Sequence, residues 1–209
     1  MSYQVIGIGN AIVDVISHAN DPFLEEMGIE KGIMQLVDRD RAELLYAAMR
    51  DRIETPGGSV GNTIAGIGAL GLKTAFIGKV KDDGLGQFFA ESLAASGTAF
   101  PLPPQAVDLP TSRSMIFGSP DGERSMNTYL GAGADISSAD VPDIFAGSDL
   151  VVVTAAVRRL AGRVLSDSID LTNYNLIMSR KPTRATSPSQ QRRLGANDTL
   201  CVSGDTNGD

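Results

Sequence analysis

The residues best suited to chemistry are polar side chains that follow a short apolar run near the start of the chain. Asn10 and Asp14 come just after Tyr3–Ile8, which we predict to be a buried strand ending in the glycine-rich stretch. Ligands of parallel α/β proteins bind at the carboxyl ends of the strands, where both side chains are expected. An amide and a carboxylate at that edge can hold sugar hydroxyls through charge-assisted hydrogen bonds. The alternative is that Asp14 only caps a turn.

A second candidate is the glycine-rich segment 56–62, Pro-Gly-Gly-Ser-Val-Gly-Asn. Adjacent glycines adopt backbone angles that are closed to other residues, and they let a ligand approach the main chain closely. The predicted helix that follows begins with free N–H groups and the positive end of its dipole. We therefore predict that Gly57, Gly58 and Asn62 face the same crevice as the first two candidates, with an ordinary loop as the alternative.

Two further motifs carry positive charge. Arg124 follows the predicted turn 119–123 and can reach over a crevice toward a substrate or a transferring phosphoryl group. The alternative is a solvated arginine in a turn. Lys79 and Lys81 are suited to a phosphate, but the aspartates that follow them favour a turn between a strand and a helix.

The composition excludes several classes of site. One histidine, His18, rules out a histidine-cluster metal site, and one cysteine, Cys201, rules out a disulfide framework or a multi-thiolate zinc site. Residues 7–12 begin like a dinucleotide-binding loop, but Ile12 replaces its third glycine, which disfavours an NAD-dependent oxidoreductase. The net charge of −7 argues against nucleic-acid binding. No apolar run approaches the ~18 residues of a membrane span, and residues 1–10 lack a secretory signal, so we predict a cytoplasmic protein.

A layered α/β fold is needed to position these side chains. Strands are predicted at 3–8, 74–79 and 149–154, and helices at 38–52, 61–70 and 86–95. Alternating strands and helices indicate a parallel sheet with helices packed on it. Residues 112–117 and 125–129 flank a Pro-Asp-Gly turn, which predicts an additional β-hairpin.

The charge balance changes near residue 157. Residues 1–157 contain 10 Lys+Arg and 20 Asp+Glu, whereas residues 158–209 contain 8 Lys+Arg and 5 Asp. The second block is rich in Ser and Thr and has few large apolar residues, so it cannot bury enough surface to offset its ordering entropy. We predict an organised part at 1–157 and an atypical basic tail at 158–209, which is either flexible or the product of a shifted reading frame.

Taken together, four segments resemble the ribokinase/PfkB family of carbohydrate and nucleoside kinases. They are residues 7–14, 57–71, 75–86 and 120–133. The spacing of Asn10 and Asp14 is similar to that in the adenosine-kinase-like branch of this family. The resemblance implies a doubly wound, mostly parallel sheet with a small β-sheet lid formed by segments at about 10–38 and 110–130.

The resemblance also implies an activity and its participants. Such kinases transfer the γ-phosphoryl group of ATP, with Mg²⁺, to a primary hydroxyl of a sugar or nucleoside, adenosine among them. Carried over position by position, Asn10, Asp14 and Asn62 bind the substrate, Gly57–Gly58 forms the hinge of the lid, and Arg124 approaches the substrate or phosphate from the lid. Lid strands in this family can pair between subunits, which makes a homodimer an expected partner state.

The end of the chain departs from the family pattern. The family's second signature, Asp-Thr-x-Gly-Ala-Gly-Asp, supplies the catalytic base and the helix that forms an anion hole. Here only residues 204–209, Gly-Asp-Thr-Asn-Gly-Asp, are similar, and two residues of the motif are missing. Asp209 is the one candidate base, with a coincidental match as the alternative. The sequence therefore predicts either a kinase or an inactive, truncated kinase that only binds a sugar or nucleoside or self-associates.

Overall fold

The computed structural model describes residues 3–137, 140, 150–153 and 176–177. One of its two sheets contains the first strand of the chain and four others. These strands are β1 Val5–Ile8, β5 Thr74–Ile77, β6 Thr98–Ala99, β9 Leu150–Val153 and β10 Leu176–Ile177. They are all parallel and lie in the order β10, β9, β1, β5, β6. We call this the core sheet.

The second sheet is mixed. Its strands are β2 Ile12–His18, β3 Met34–Leu36, β4 Ile53–Gly57, β7 Ser112–Gly118 and β8 Arg124–Tyr129. They lie in the order β3, β8, β7, β2, β4. The β7–β8 and β2–β4 pairs are antiparallel, whereas β2–β7 and β3–β8 are parallel. We call this the small sheet, and β7 with β8 is the hairpin that the Pro-Asp-Gly turn predicts.

Among the described residues, four α-helices connect and cover the sheets. They are α1 Asp21–Glu26, α2 Arg39–Ala48, α3 Ser59–Ala69 and α4 Gly84–Ala95. Side-chain oxygens cap three of them at their N-termini, from Asn20, Asp38 and Asp83. Gly97, at φ +79°, follows the end of α4. The three helices predicted from the sequence are thereby confirmed, and α1 is an addition.

Small residues let α3 pack closely on the core sheet. A Cβ atom at Gly7 of β1 would collide with Ile64 of α3, and one at Gly68 would lie 2.7 Å from the Thr74 hydroxyl oxygen. Beyond α3, the rings of Phe76 and Phe89 pack with their centroids 5.8 Å apart. Glycines on α3 and on the strand beneath it therefore allow the close approach of this helix to the core sheet.

One face of the small sheet is covered by α1 and α2. The ring of Phe23 in α1 packs on Phe117 of β7 at 5.6 Å, and Leu45 of α2 is buried in the same apolar cluster as Val13 and Met115. We call this the back face. Side chains alternate along a strand, so Asp14, between Val13 and Val15, points to the opposite, front face.

The sequence did not predict β2, β3 or β4 as strands: β2 is a seven-residue strand inside the small sheet, whereas β3 and β4 are short edge strands. β3 has three residues, and β4 carries Pro56 and Gly57, which are unfavourable in most strands. Both lie at the edges of the small sheet, where a proline is tolerated because its missing N–H leaves no central hydrogen bond unmade. The predicted tail at 158–209 lies outside the described residues except for 176–177 in β10.

Candidate functional site

The candidate site lies where the chain passes from the core sheet to the small sheet. Asn10 follows β1, Asp14 is the third residue of β2, and Gly57 ends the neighbouring strand β4. A Cβ atom at Gly57 would lie 2.5 Å from the carboxyl carbon of Asp14 and 2.6 Å from each of its oxygens. The carboxylate of Asp14 therefore lies directly over the main chain of Gly57, in space that only a glycine leaves open.

The second glycine of the pair contacts the other candidate. Gly58 has φ +86°, a conformation that favours glycine, and a Cβ there would lie 2.7 Å from the carbonyl oxygen of Asn10. Gly58 also precedes α3 as its N-cap, and its carbonyl accepts a hydrogen bond of 2.9 Å from the Asn62 N–H. The structure thus joins four predicted residues by close contacts and places the exposed side chain of Asn62 one helical turn away.

Both polar side chains at this point are held in a poorly solvated place. Burial raises the pKa of the Asp14 carboxyl. The side chain of Asn10 is buried, and its Oδ1 atom has no hydrogen-bond partner within the part of the chain that the structure describes. A buried acceptor without a partner costs roughly 1–3 kcal/mol. A partly desolvated carboxylate and a buried amide oxygen are suited to a ligand that brings hydrogen-bond donors, such as hydroxyl groups.

The front face of the small sheet continues the site as two rows of side chains. The strand register places four polar residues side by side, namely Thr55, Asp14, Ser114 and Thr128. The next row of the front face, two residues toward the C-terminal end of β2, is apolar across all five strands. Its members are Ile53, Ile16, Ile116, Met126 and Met34. Adjacent rows on one face are two residues apart, which corresponds to about 7 Å. We call them the polar row and the apolar row.

Sequence reasoning missed the hydroxyls of the polar row. Ser114 and Thr128 are both buried, and their hydroxyl oxygens are 2.8 Å apart in a direct hydrogen bond. The predicted hairpin implies that two residues of β7 and β8 face each other. It does not say which pair lies beside Asp14, because that depends on the parallel register of β2 and β7.

The structure does not bring Arg124 next to Asp14. Arg124 is the first residue of β8 and pairs with Gly118, which in turn pairs with His18. This row lies four residues beyond the polar row, a distance of about 13 Å along the strands. Arg124 and His18 are exposed. A role for Arg124 at the site stays a prediction.

The two candidate phosphate lysines are engaged elsewhere. The Nζ atom of Lys79 lies 3.2 Å from Oδ1 of Asp140, and the two side chains are 11% and 12% exposed. The Nζ atom of Lys81 donates to the carbonyl oxygen of Asp108 at 3.3 Å. Residues 78–83 connect β5 to α4, and Asp83 caps the helix, so the turn interpretation is confirmed.

An ion-pair cluster occupies the far end of the small sheet. The Nζ atom of Lys31 lies 2.6 Å from Asp21 and 2.7 Å from Asp121, and the Ser119 hydroxyl donates to Asp121 at 2.5 Å. The hydrogen bond from Lys31, followed by that from Ser119, lowers the pKa of Asp121 to about 2. Because the folded protein favours the ionised form, this contribution to stability is present above pH 3.8 and is lost as the pH falls toward 2.

Replacing Lys31 by methionine is expected to return the pKa of Asp121 toward its ordinary value. The reason is that Lys31 supplies the largest of the interactions that hold this carboxylate ionised. Titration of the carboxyl carbon by NMR measures the change directly. The substitution Arg39→Met, in α2 and outside this cluster, should leave the titration unchanged. An unshifted Asp121 in the Lys31 variant would contradict the assignment.

Comparisons with known proteins agree on one family. The family described as "pfkB family carbohydrate kinase" matches residues 34–201. The adenosine kinase from Sinorhizobium meliloti is 49% identical with a TM-score of 0.67, over 74% of this chain and 48% of that chain. A probable sugar kinase protein from Rhizobium etli CFN 42 is 43% identical with a TM-score of 0.68, over 76% of this chain and 48% of that chain.

A curated relative gives the same result at lower identity. The guanosine-inosine kinase of Escherichia coli (strain K12) is 25% identical over 163 residues, which is 74% of this chain and 38% of that protein. The chain therefore spans less than half the length of each of these three proteins. The predicted ribokinase-like fold, a doubly wound, mostly parallel sheet with a small β-sheet lid, is confirmed. The chain belongs to the pfkB family of carbohydrate kinases.

Proposed function

We propose that this chain is the acceptor-binding part of an ATP-dependent kinase that phosphorylates a primary hydroxyl of a nucleoside. The observation that carries the proposal is the arrangement of the front face. The carboxylate of Asp14 and the buried amide of Asn10 lie at one end of that face, and an apolar row lies about 7 Å farther along the strands. In this role the small sheet is the lid over the acceptor.

The polar end of the site is suited to the sugar of the acceptor. Asp14 offers two carboxylate oxygens and Asn10 offers an unpartnered amide oxygen, so adjacent ribose hydroxyls can donate to both. Asn62, in the first turn of α3, is within the same part of the fold and has an exposed amide. Hydrogen bonds from hydroxyls to a charged group contribute about 1.5–3 kcal/mol each.

The apolar row is what favours a nucleoside over a free sugar. A free sugar is covered with hydroxyls, and it gains little from lying against isoleucine and methionine side chains. A nucleoside carries a flat base beside its ribose, and the base buries apolar and aromatic surface. The names of two relatives, an adenosine kinase and a guanosine-inosine kinase, support this class, whereas that of a third, a probable sugar kinase protein, supports the other.

The phosphoryl donor implied by the family is ATP with Mg²⁺. Among the described residues, no group of three or more His, Cys, Asp or Glu is placed to hold a metal ion. The candidate base, Asp209, and the rest of segment 204–209 lie outside the described residues. We therefore assign no step of the reaction to Mg²⁺.

A second candidate function is binding without catalysis, coupled to self-association. Met34, Leu36 and Ile53 on the front face are 60%, 61% and 63% exposed, an unusual exposure for large apolar side chains. Two copies that pack these faces together would bury them, which supports the expected homodimer through the lid.

Within the described residues, no helix is long and apolar enough to cross a membrane.

Calorimetric titration tests the proposed acceptor class. Adenosine, guanosine and inosine are titrated into the protein alongside ribose and fructose, and light scattering reports the oligomeric state of the same samples. We expect saturable binding of at least one nucleoside and at least tenfold weaker binding of the sugars. Equal affinity for ribose would contradict the nucleoside class, and no binding of any acceptor would contradict the proposed site.

Incubation with ATP and Mg²⁺ separates the two candidate functions. A nucleoside monophosphate detected by mass spectrometry, formed only when nucleoside and ATP are both present, identifies a kinase. Binding without such a product identifies the non-catalytic alternative. The Asp14→Ala variant is the control for both assays, because it removes the carboxylate over Gly57.

A further inference from the structure

Four stretches of chain connect the core sheet to the small sheet, and they are built differently. The connections are 9–11, 57–58, 100–111 and the stretch that begins at 130. The second of these is the glycine pair. The other three meet at one place beside the start of β7, where side-chain hydrogen bonds hold the third and fourth connections.

The carboxylate of Asp83 is the centre of this junction. Its Oδ1 atom accepts hydrogen bonds from the Gly86 N–H at 2.9 Å and from the Thr111 hydroxyl at 2.7 Å. Its Oδ2 atom accepts from the Thr111 N–H at 3.0 Å. One side chain therefore caps α4 and holds both hydrogen-bond donors of Thr111, which is fully buried.

The return from the small sheet is tied to the same point. The Thr111 hydroxyl also accepts from the Lys81 N–H at 3.0 Å. Next to it, the hydroxyl of Ser112 accepts from the Gly133 N–H at 3.0 Å and donates to the Leu130 carbonyl. A Cβ at Gly133 would lie only 3.4 Å from the Ala11 carbonyl oxygen, so the first connection is in contact as well.

Strand pairing links this junction to the acceptor site. β7 begins at Ser112, which pairs with Ile12, and Ser114 of the same strand pairs with Asp14. Fixing the residue before β7 therefore fixes β2 relative to the core sheet. Gly57 lies in the same row of the sheet, because it and Ser112 both pair with Ile12, but the glycine pair has no side chain that could tie this edge to the core.

We propose that Asp83 and Thr111 are positioning residues for Asp14. Their hydrogen bonds hold the start of β7 against α4 and thereby set where the Asp14 carboxylate lies above Gly57. The small sheet is thus fixed at the β7 end and free to bend at the glycine pair. The expected effect on acceptor binding rests on the proposed function. The mechanical link, by which Asp83 and Thr111 set the position of Asp14, does not.

The Thr111→Val substitution tests the link without any ligand. It keeps the shape of the side chain and removes the hydroxyl that Asp83 holds. We expect the backbone amide signals of Asp14, Thr55 and Gly57 to move in the ¹H–¹⁵N spectrum, and the Thr111→Ser and wild-type spectra to agree at these positions. The Asp83→Asn variant should move the same signals, because it weakens both bonds to Thr111.

A matched control variant distinguishes a positioning role of Thr111 from a general contribution to stability. Thr98→Val removes another buried hydroxyl, bonded to that of Thr74 in the core sheet at 2.8 Å, and should lower the melting temperature without moving the Asp14 signal. Shifts in the Thr111 variant that stay within residues 81–86 and 110–112 would overturn the proposal. If Thr111→Val does not fold, the Asp83→Asn spectrum decides the question by the same criterion.

Nucleoside titration adds the functional readout. If the wild-type chain binds a nucleoside, Thr111→Val should weaken the binding about tenfold at a temperature well below its melting point, and Thr111→Ser should restore it. Unchanged affinity in a variant whose Asp14 signal has moved would overturn the positioning role. If the wild-type chain binds no nucleoside, the proposed function fails, and the amide signals alone decide the mechanical link.

Discussion

Replacing Asp14 by asparagine is expected to weaken nucleoside binding by roughly 10- to 100-fold while making the free protein more stable. The loss of binding follows from removing a charged acceptor of about 1.5–3 kcal/mol. The gain in stability follows from burial, which raises the pKa of this carboxyl and so marks its ionised form as unfavourable in the folded state. Calorimetric titration and thermal unfolding of the same two samples measure both effects.

The pH dependence fixes the sign of the stability effect. Because the pKa is raised in the folded protein, the contribution of Asp14 to stability is fully present below 3.8, the ordinary value, and is lost as the pH rises through the folded value. The variant should therefore melt above the wild type at pH 7, by roughly 2–4 °C for each kcal/mol. The difference should vanish below pH 3.8.

An exposed carboxylate provides the control for this variant. Asp51 is exposed in the bend before β4, so Asp51→Asn should leave nucleoside binding unchanged. An Asp14→Asn protein that binds nucleoside as well as the wild type would refute the role of the carboxylate. An Asp14→Asn protein that melts below the wild type at pH 7 would show that the ionised Asp14 carboxylate does not destabilise the folded protein.

Substituting Gly57 by alanine is expected to abolish binding and destabilise the protein together. The added Cβ would lie 2.5 Å from the carboxyl carbon of Asp14, so either the carboxylate or strand β4 must move. Forcing a group into such a filled place costs about 1–3 kcal/mol. Nucleoside titration and the melting temperature measure the two losses.

Two companion variants show whether the cause is the contact with Asp14. Gly66→Ala lies in α3 with nothing within 4 Å of its Cβ position, and it should stabilise the protein by about 0.5–1 kcal/mol. In an Asp14→Ala background, Gly57→Ala should cost much less stability, because the colliding group is gone. Equal costs in the two backgrounds would show that the collision is not the cause.

The sequence predicted that the candidate site residues lie close together because their placement depends on local features. Asn10 follows an apolar strand, and Gly57 and Gly58 precede a helix, so both were expected at the carboxyl edge of a sheet. The contact between Gly57 and Asp14 depends on how β2 and β4 pair, which no local pattern encodes. The same reason left Ser114 and Thr128 unrecognised.

Two of the strands that were missed have weak local signals. β4 contains Pro56 and Gly57, and β3 has only three residues, so neither resembles a strand until a neighbouring strand is in place. For Arg124, the hairpin was predicted but not its position in the register, which lies four residues from the polar row. Asp83 was predicted only as part of a turn, and its bonds to Thr111 join residues 28 positions apart.

The apolar row has a consequence for selectivity. Isoleucine and methionine side chains present no strong hydrogen-bonding group, and methionine adapts its shape to what it contacts. A surface of this kind responds to the breadth of an aromatic ring and is indifferent to the substituents on its rim. Under the proposed function, purine analogues that differ at the ring edge, deaza compounds included, are therefore expected to compete for the site at similar concentrations.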